Sequence, residues 1–535
     1  METAPSQAHA PALPGWISRF RILLVASWAA LYLPRLFVLG LYIDDWWALI
    51  EPQHSTAPFS LDRLHYFVGL GTNYGPRPLL GFFAFLVTSI AGPSPAALQL
   101  VSALLVLAAA LSLRAWLNSL MRVLPEYRET AADLAAIFWM SLPWLVGTTA
   151  WPMVAHNILC QIVFTETARL LLARERATFG TAALVTLGVT VSGLIYEAFY
   201  LGIFPVILLY AICGRGPAKN KRQAAALFGI GLVAQAIPAA FNRYMAHIHA
   251  AVSKTYFSGW PRLLVGNILS LPRTLLAGLQ GYWLPGAILF VAVVACAGLL
   301  WSRVSRPGND GRQRAYLLGL VTSAAIALPM TVCVYSAAGY GFQPLGADSR
   351  TLFPLCLWFT LLFFAAVCSL FLEGARATKT VLLASSFALV AVLVLAQRDH
   401  VAEWARAWRE EQRILQDAPL NAISRLPSEA AIFYIGPTNY KGVAIFDAPW
   451  DLTAAIHWHP IQQTRRPYQH LTMIYPALGG SNWSWDGKTL ARTGASGGTR
   501  YAVKRLFIWR ERLATLEEVQ PGFEWRRTKR KTSLQ

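Results

Sequence analysis

Residues 20–47 read FRILLVASWAALYLPRLFVLGLYIDDWW, an apolar run that ends in two aspartates and two tryptophans. A helix needs about 20 apolar residues to cross a bilayer, so residues 20–41 predict a first membrane span. Two adjacent carboxylates at the water end of such a helix are costly unless water, a metal or a cation meets them. Tryptophans are typical of the headgroup zone. The stretch therefore predicts a membrane protein with either a solvated helix end or a functional site at Asp44 and Asp45.

The composition is that of a polytopic membrane protein. Of the 535 residues, 55% are hydrophobic and 14% are charged, whereas a soluble domain is about 25% charged. The net charge of +19 would suggest nucleic acid in a soluble protein. Here the basic residues form short clusters between apolar runs, as signals of membrane topology do. We therefore expect membrane lipids, and no nucleic acid, among the partners.

Eleven apolar runs are candidate spans, and a shorter run, 78–91, is left out. That run is bounded by prolines, so we interpret it as an interfacial or re-entrant helix. With eleven spans and the N-terminus inside, every short basic loop falls on the cytoplasmic face, as the positive-inside rule expects. Counting 78–91 as a span would reverse this. The eleven runs are 20–41, 95–114, 131–150, 153–173, 178–195, 198–213, 223–241, 283–302, 315–336, 351–372 and 380–397.

The predicted fold is an all-α polytopic membrane domain followed by a small α/β domain outside the cytoplasm. Residues 1–19 form a cytoplasmic tail, 20–397 the membrane domain with an outer loop at 42–94, and 398–535 the extracytoplasmic domain. In the last region, a charged helix pattern at 399–417 precedes β-type runs at 431–435, 471–475 and 501–509. His457 and His459 are expected on one face of a strand, without a third zinc ligand.

Polar residues collect in the predicted outer loops. An acidic pair such as Asp44 and Asp45 can bind a divalent cation (Mg²⁺ or Mn²⁺) through its hard oxygens, or it can supply a general base. The sequence leaves both roles open. Arginine forks suit phosphate, so Arg77 and Arg350 on the same face predict a phosphate site at the membrane surface. A phosphate at that depth is the headgroup of a lipid carrier.

At these residues the sequence resembles the GT-C superfamily of membrane glycosyltransferases. The resemblance rests on the doublet after the first span, the Arg77-Pro78 entry to a short helix, Glu197 in a short hairpin and Arg350 at the start of a late span. It implies an inverting hexosyl- or pentosyltransferase in the bacterial inner membrane. The donor would be a sugar on polyprenyl phosphate, and the acceptor an envelope glycan, lipid or protein on the periplasmic face.

The resemblance also implies roles for single residues. Asp44 or Asp45 would be the catalytic base or a metal ligand, and Glu197 a second acid or an arginine partner. Arg77 and Arg350 would hold the donor phosphate. The remaining members of the expected substrate-binding set are His156, Tyr74 and Trp46. Each residue also has a structural alternative. One aspartate would cap a helix, the arginines would anchor span ends at the interface, and the histidine would make a structural hydrogen bond.

A transporter or flippase of a lipid-linked glycan is the alternative. In that protein, Asp44, Asp45 and Glu197 would be coupling or gating charges. Transporters place ionisable groups near mid-membrane, whereas most of these residues flank the predicted outer interface. Glu166, within the fourth run, is the exception.

Overall fold

The computed structural model describes residues 16–50, 58–69, 74–120, 128–174, 178–213, 217–248, 259–303, 310–371, 375–427, 430–446, 449–458, 472–474, 482–493 and 500–525. Within these ranges the chain is mostly helical, and its strands lie in the C-terminal part. The α-helices are α1 Trp16–Tyr32, α2 Asp44–Ile50, α3 Leu61–Val68, α4 Pro78–Ala91, α5 Pro95–Leu120, α6 Arg128–Ser141, α7 Val146–Thr149, α8 His156–Ala173, α9 Phe179–Ile195, α10 Ile203–Cys213, α11 Pro217–Ile248, α12 Trp260–Gly278, α13 Trp283–Arg303, α14 Asp310–Ala337, α15 Phe353–Cys368, α16 Arg376–Asp417, α17 Leu420–Ile423 and α18 Pro449–Trp458. The strands are β1 Ala430–Ile435, β2 Asn439–Tyr440, β3 Val443–Ala444, β4 Thr472–Ile474, β5 Asn482–Trp485, β6 Thr489–Thr493, β7 Arg500–Ala502, β8 Arg505–Arg510, β9 Thr515–Val519 and β10 Phe523–Trp525.

Six helical segments in the described ranges are long and apolar enough to cross a membrane. A bent pair, Glu129–Ser141 with Pro143–Thr149, raises the number to seven if the two halves form one span. The architecture is therefore that of a helical membrane protein, but the predicted count of eleven spans is not confirmed. The six segments are Pro95–Leu120, Arg222–Met245, Gln280–Ser302, Tyr316–Ala337, Ala347–Cys368 and Arg376–Asp417.

The difference arises because several predicted spans fold as shorter helices that run into 3-10 turns. The helix α1 has 17 residues and continues into a 3-10 helix at Leu33–Phe37. The helix α9 also has 17 residues and is followed by a 3-10 helix at Glu197–Gly202. At about 1.5 Å per residue, 17 residues make about 26 Å, less than the ~30 Å hydrocarbon core. The excluded run 78–91 forms the helix α4, which has only 14 residues.

The predicted span at 131–150 is a broken helix whose two parts, α6 and α7, meet at 60°. Backbone groups freed by such a break must find partners inside a membrane protein. The Gln397 side chain donates to the carbonyl oxygen of Met140 at 2.8 Å, and Tyr32 donates to the same oxygen at 2.9 Å. Gln99 donates to the carbonyl oxygen of Ala150 at 2.8 Å. Side chains from α16 and α1 therefore stabilise the break, and Gln99 of α5 holds the far end of α7.

The helix α16 has 42 residues and joins the membrane part to the sheet region, β1 to β10, without interruption. At about 1.5 Å per residue it is about 63 Å long, so the boundary drawn at 397/398 falls inside a continuous helix. One sheet has the order β4-β1-β8-β9, with β1 parallel to β4 and β8, and a second has the order β10-β5-β6-β7. The prediction of a strand around His457 is wrong, because that residue lies in the helix α18. His459 lies outside the described residues.

Candidate functional site

The acidic doublet begins α2 directly after a strained residue. Ile43 has a φ of +46°, a left-handed conformation that is rare for β-branched residues and costs about 1–3 kcal/mol. The turn brings the backbone N–H of Tyr42 to the carboxylate of Asp45, with 2.8 Å between nitrogen and Oδ2. Backbone strain of this kind concentrates at functional sites, where the surrounding structure enforces it.

Asp45 is fully buried, and both of its oxygens accept backbone hydrogen bonds. Tyr42 donates to Oδ2, and the N–H of Met153 donates to Oδ1 at 2.9 Å. Burial raises the pKa of Asp45 well above its ordinary value, while the two N–H donors act in the opposite direction. Asp44 is only half-buried. Asp45 therefore holds α2 against Met153, whereas Asp44 is partly exposed to solvent.

A metal site at the doublet fits this arrangement poorly. Asp45 is fully buried, and each of its oxygens already uses one lone pair to accept a backbone N–H, so it presents little of its carboxylate to Mg²⁺ or Mn²⁺. Among the side chains that the structure describes, no three His, Cys, Asp or Glu residues are grouped to hold a metal. We assign no step to a metal.

Arg77 forms an ion pair with Glu197. Its Nη2 lies 2.9 Å from Glu197 Oε2, and its Nε lies 3.2 Å from Oε1. The side-chain amide of Asn242 donates to the same Oε1 at 3.2 Å, and the Arg77 guanidinium stands 4.6 Å from the ring centre of Tyr196. Glu197 is therefore the partner of an arginine, which the sequence analysis offered as one of its two roles. Its carboxylate compensates most of the charge of Arg77.

Arg350 is less compensated than Arg77. It lies in a 3-10 helix at Ala347–Leu352, and its guanidinium stands over the ring of Trp151 at 4.9 Å. Its ion pair with Asp348 is long: Nη2 is 3.9 Å from Oδ1 of Asp348, whose side chain is 60% exposed. An exposed pair at this distance is worth little. Arg350 therefore keeps the capacity to bind an anion.

One short segment, residues 151–156, contacts several of these groups. Trp151 lies under Arg350, and Met153 donates its N–H to Asp45. His156 is buried, with Nδ1 2.8 Å from the carbonyl oxygen of Met153 and its ring 5.1 Å from that of Tyr196. The side chains of Asp45, Arg350 and Tyr196 are thus arranged around one backbone segment, although they are far apart in sequence.

Tyr196, the residue before Glu197, was not among the site residues predicted from the sequence. Burial raises its pKa to about 12, and the charges of Arg77 and Arg350 partly oppose that rise. Both guanidinium groups thus lie near one phenol. The sequence shows Tyr196 beside Glu197 between two apolar runs. That pattern alone does not place Tyr196 in the site, because its nearness to Arg77 and Arg350 arises only from folding.

The other expected residues separate into two groups. Tyr74 lies beside the doublet: burial, and then the charges of Asp44 and Asp45, raise its pKa. Trp46 faces away, because its indole N–H donates to Glu411 of α16 at 3.2 Å, so a substrate contact is not supported by its position. Glu166 is bound to Arg169 at 2.7 Å and to Ser112 at 2.8 Å.

Comparison with known proteins finds no family model that matches the sequence and no curated protein that matches it.

Proposed function

We propose that the chain is an integral membrane glycosyltransferase of the bacterial cytoplasmic membrane. It would move a sugar from a polyprenyl-phosphate donor to an envelope glycan, lipid or protein on the outer face, with inversion at the anomeric carbon. The proposal agrees with the resemblance to GT-C enzymes seen at the doublet and at Arg350, and with the helical membrane architecture.

The observation that carries the proposal is the link through residues 151–156. This segment holds Asp45 by a hydrogen bond from Met153 and supports Arg350 through Trp151. The accessible carboxylate of Asp44 is the neighbour of Asp45 in the same turn. The turn that carries the proposed base is therefore connected, through Asp45, to the same backbone segment that supports the anion-binding guanidinium. Transfer from a phosphate donor depends on such positioning of the reacting groups.

In the proposed reaction, the acceptor hydroxyl oxygen attacks the anomeric carbon as the bond to the phosphate oxygen breaks. The hydroxyl proton passes to the carboxylate of Asp44, and an ordinary carboxylate suffices because the transfer accompanies bond cleavage. The leaving polyprenyl phosphate gains negative charge, which Arg350 stabilises. Arg77 is occupied by Glu197, so we assign this pair to shaping the site beside Tyr196.

The proposal is tested by comparing glycolipids and envelope glycans of cells that produce the wild type, Asp44→Asn or Asp62→Asn. Asp62 is exposed on α3 and serves as the matched acidic control. We expect one sugar decoration to be missing in Asp44→Asn and present in Asp62→Asn, with equal protein levels. An unchanged glycan profile in cells that lack the protein entirely would refute the proposal.

A transporter or flippase of a lipid-linked glycan has one observation in its favour, the 60° break between α6 and α7, since broken helices form ion and substrate sites in transporters. The carbonyl oxygens of Met140 and Leu142 beside this break, however, accept hydrogen bonds from Gln397, and that of Met140 also accepts one from Tyr32. They are thus engaged by protein. The two functions are distinguished in vesicles: a flippase would move intact donor lipid from one leaflet to the other without forming a new glycosidic bond.

A further inference from the structure

We propose that the sheet region takes part in the donor site, because its β2–β3 hairpin sets the position of Arg350. The inference rests on the proposed function for what Arg350 binds, but the contact itself does not depend on that function. The hairpin, residues 439–444, turns at Lys441 and Gly442, whose φ angles are +49° and +83°. Its tip reaches the loop that precedes α15.

The hairpin touches that loop backbone to backbone. The carbonyl oxygen of Gly442 accepts a hydrogen bond from the N–H of Ala347 at 3.3 Å. A Cβ added to Gly346 would stand only 1.8 Å from the same oxygen. Gly346 also has a φ of +71°, which favours glycine. No side chain fits between the hairpin and the loop, so the two backbones fix each other's position.

The 3-10 turn that carries Arg350 also packs tightly against α7, in addition to its contact with the hairpin. A Cβ added to Gly147 would stand 2.2 Å from Oγ of Ser349 and 3.0 Å from the backbone nitrogen of Arg350. Ser349 in turn donates from its hydroxyl to the carbonyl oxygen of Gly346 at 2.8 Å. The turn that carries Arg350 is therefore clamped between a broken membrane helix and the sheet region.

The hairpin is itself attached to α16. Lys441 Nζ lies 3.5 Å from Oε1 of Glu403, and Arg406 donates to the hydroxyl of Tyr440 at 3.3 Å. A path of contacts thus leads from α16 through the hairpin to Arg350. Gly442 is a positioning residue in this path: it contacts the loop of Arg350 and acts on the donor only through it.

The test weakens the contact between Gly442 and the loop at Gly346, and it measures the accessibility of position 350. Gly346→Ala places a methyl group against the oxygen of Gly442, whereas Gly522→Ala introduces the same kind of backbone strain, at a φ of +93°, with nothing within 4 Å. Each is combined with Arg350→Cys, and the rate of thiol labelling by a water-soluble maleimide is measured on the full chain in detergent. Labelling of the protein without Arg350→Cys serves as the blank for the native cysteines.

A second measurement uses proteins that keep Arg350. Binding of farnesyl monophosphate, a short polyprenyl phosphate, is measured for the wild type, Gly346→Ala, Gly522→Ala and Arg350→Ala. We expect Gly346→Ala to change the labelling rate by up to about tenfold, the effect of losing one hydrogen bond. We also expect it to weaken phosphate binding toward the level of Arg350→Ala, while Gly522→Ala matches the wild type in both measurements.

Equal labelling rates in the Gly346→Ala and Gly522→Ala backgrounds would overturn the inference, and so would changed labelling with phosphate affinity at the wild-type level. If the wild type does not bind farnesyl monophosphate, the proposed donor is wrong, and the labelling rates alone then decide whether the hairpin positions residue 350. If Gly346→Ala does not fold, Lys441→Ala replaces it, since this change releases the hairpin from Glu403 without a steric clash. Unchanged labelling in a folded Lys441→Ala protein would also count against the inference.

Discussion

Arg77 and Glu197 form a two-pronged ion pair, 120 positions apart in sequence, with Nη2–Oε2 at 2.9 Å and Nε–Oε1 at 3.2 Å. The pair joins the start of α4 to the end of α9, and its side chains are only 19% and 26% exposed. A predicted phosphate-binding arginine and a candidate acid thus compensate each other. Among the residues expected at the site, Asp44 and Arg350 are partly exposed, and the proposed chemistry depends on them.

Removing one member of this pair should destabilise the protein more than removing both. Arg77→Met leaves the half-buried Glu197 carboxylate with the Asn242 amide but without its arginine. Loss of a charged hydrogen bond costs about 1.5–3 kcal/mol. We expect a lower thermal midpoint in detergent for Arg77→Met, with partial recovery in the Arg77→Met/Glu197→Gln double variant. Additive effects of the two changes would show that the pair is not coupled.

The two aspartates should respond differently to the same substitution. Asp45→Asn turns an amide N–H₂ toward the N–H of Tyr42 or Met153, so we expect a lower thermal midpoint and a lower folded yield. Asp44→Asn should fold normally and lose about 10²- to 10⁴-fold in transfer rate, the contribution of a general base. Wild-type transfer by folded Asp44→Asn would remove Asp44 from the mechanism.

Asp45 should also make stability depend on pH. Burial raises its pKa in the folded state above the unfolded value of about 3.9. The folded state therefore binds this proton more tightly, so the stabilisation is complete below about pH 4 and is lost as the pH rises through the folded-state pKa. The thermal midpoint of the wild type should fall with rising pH more steeply than that of Asp45→Asn. Parallel slopes for the two proteins would contradict this assignment.

Replacing Arg350 by lysine should impair use of the donor. Lysine keeps the charge but loses the planar group that stands over Trp151 and that matches a phosphate with two N–H donors. We expect the KM for the lipid donor to rise by about tenfold or more, the loss of roughly one charged hydrogen bond, with little change in the KM for the acceptor. Arg262→Lys, at an exposed position of α12, is the matched control. An equal rise in both KM values would argue against phosphate binding.

The predicted orientation can be tested with single cysteines in intact cells. Asp62→Cys, in the first predicted outer loop, should react with an impermeant maleimide. Arg376→Cys, in a predicted cytoplasmic loop, should react only after the membrane is opened; both positions are exposed. The opposite pattern would reverse the assignment of faces and place the doublet on the cytoplasmic side.

The sequence was informative where one local pattern decides the outcome. The apolar runs located most of the long helices, and the short run between prolines at 78–91 forms a helix of 14 residues. The β-type runs near 431–435 and 501–509 correspond to strands. The count of eleven spans was not confirmed, because hydropathy does not register where a helix ends in a 3-10 turn, as at Leu33–Phe37, or breaks, as at Pro143.

Site prediction was limited by partners that are distant in sequence. Asp44 and Asp45 are equivalent in the sequence, and they are distinguished by burial and by the N–H groups of Tyr42 and Met153, both of which donate to Asp45. The pairing of Glu197 with Arg77, and the turning of Trp46 toward Glu411, likewise depend on tertiary contacts. No local pattern contains that information.

The uninterrupted course of α16 has a practical consequence for work with the protein. A truncation at the domain boundary expected from the sequence would cut this helix in mid-course and remove Trp404 from Tyr42, whose rings lie 4.7 Å apart. The C-terminal fragment would expose Trp404 to water, and the membrane fragment would lose the packing of Trp404 against Tyr42, which lies just before the doublet. The two halves are therefore best expressed, purified and engineered as one piece, with any reporter fused beyond residue 525.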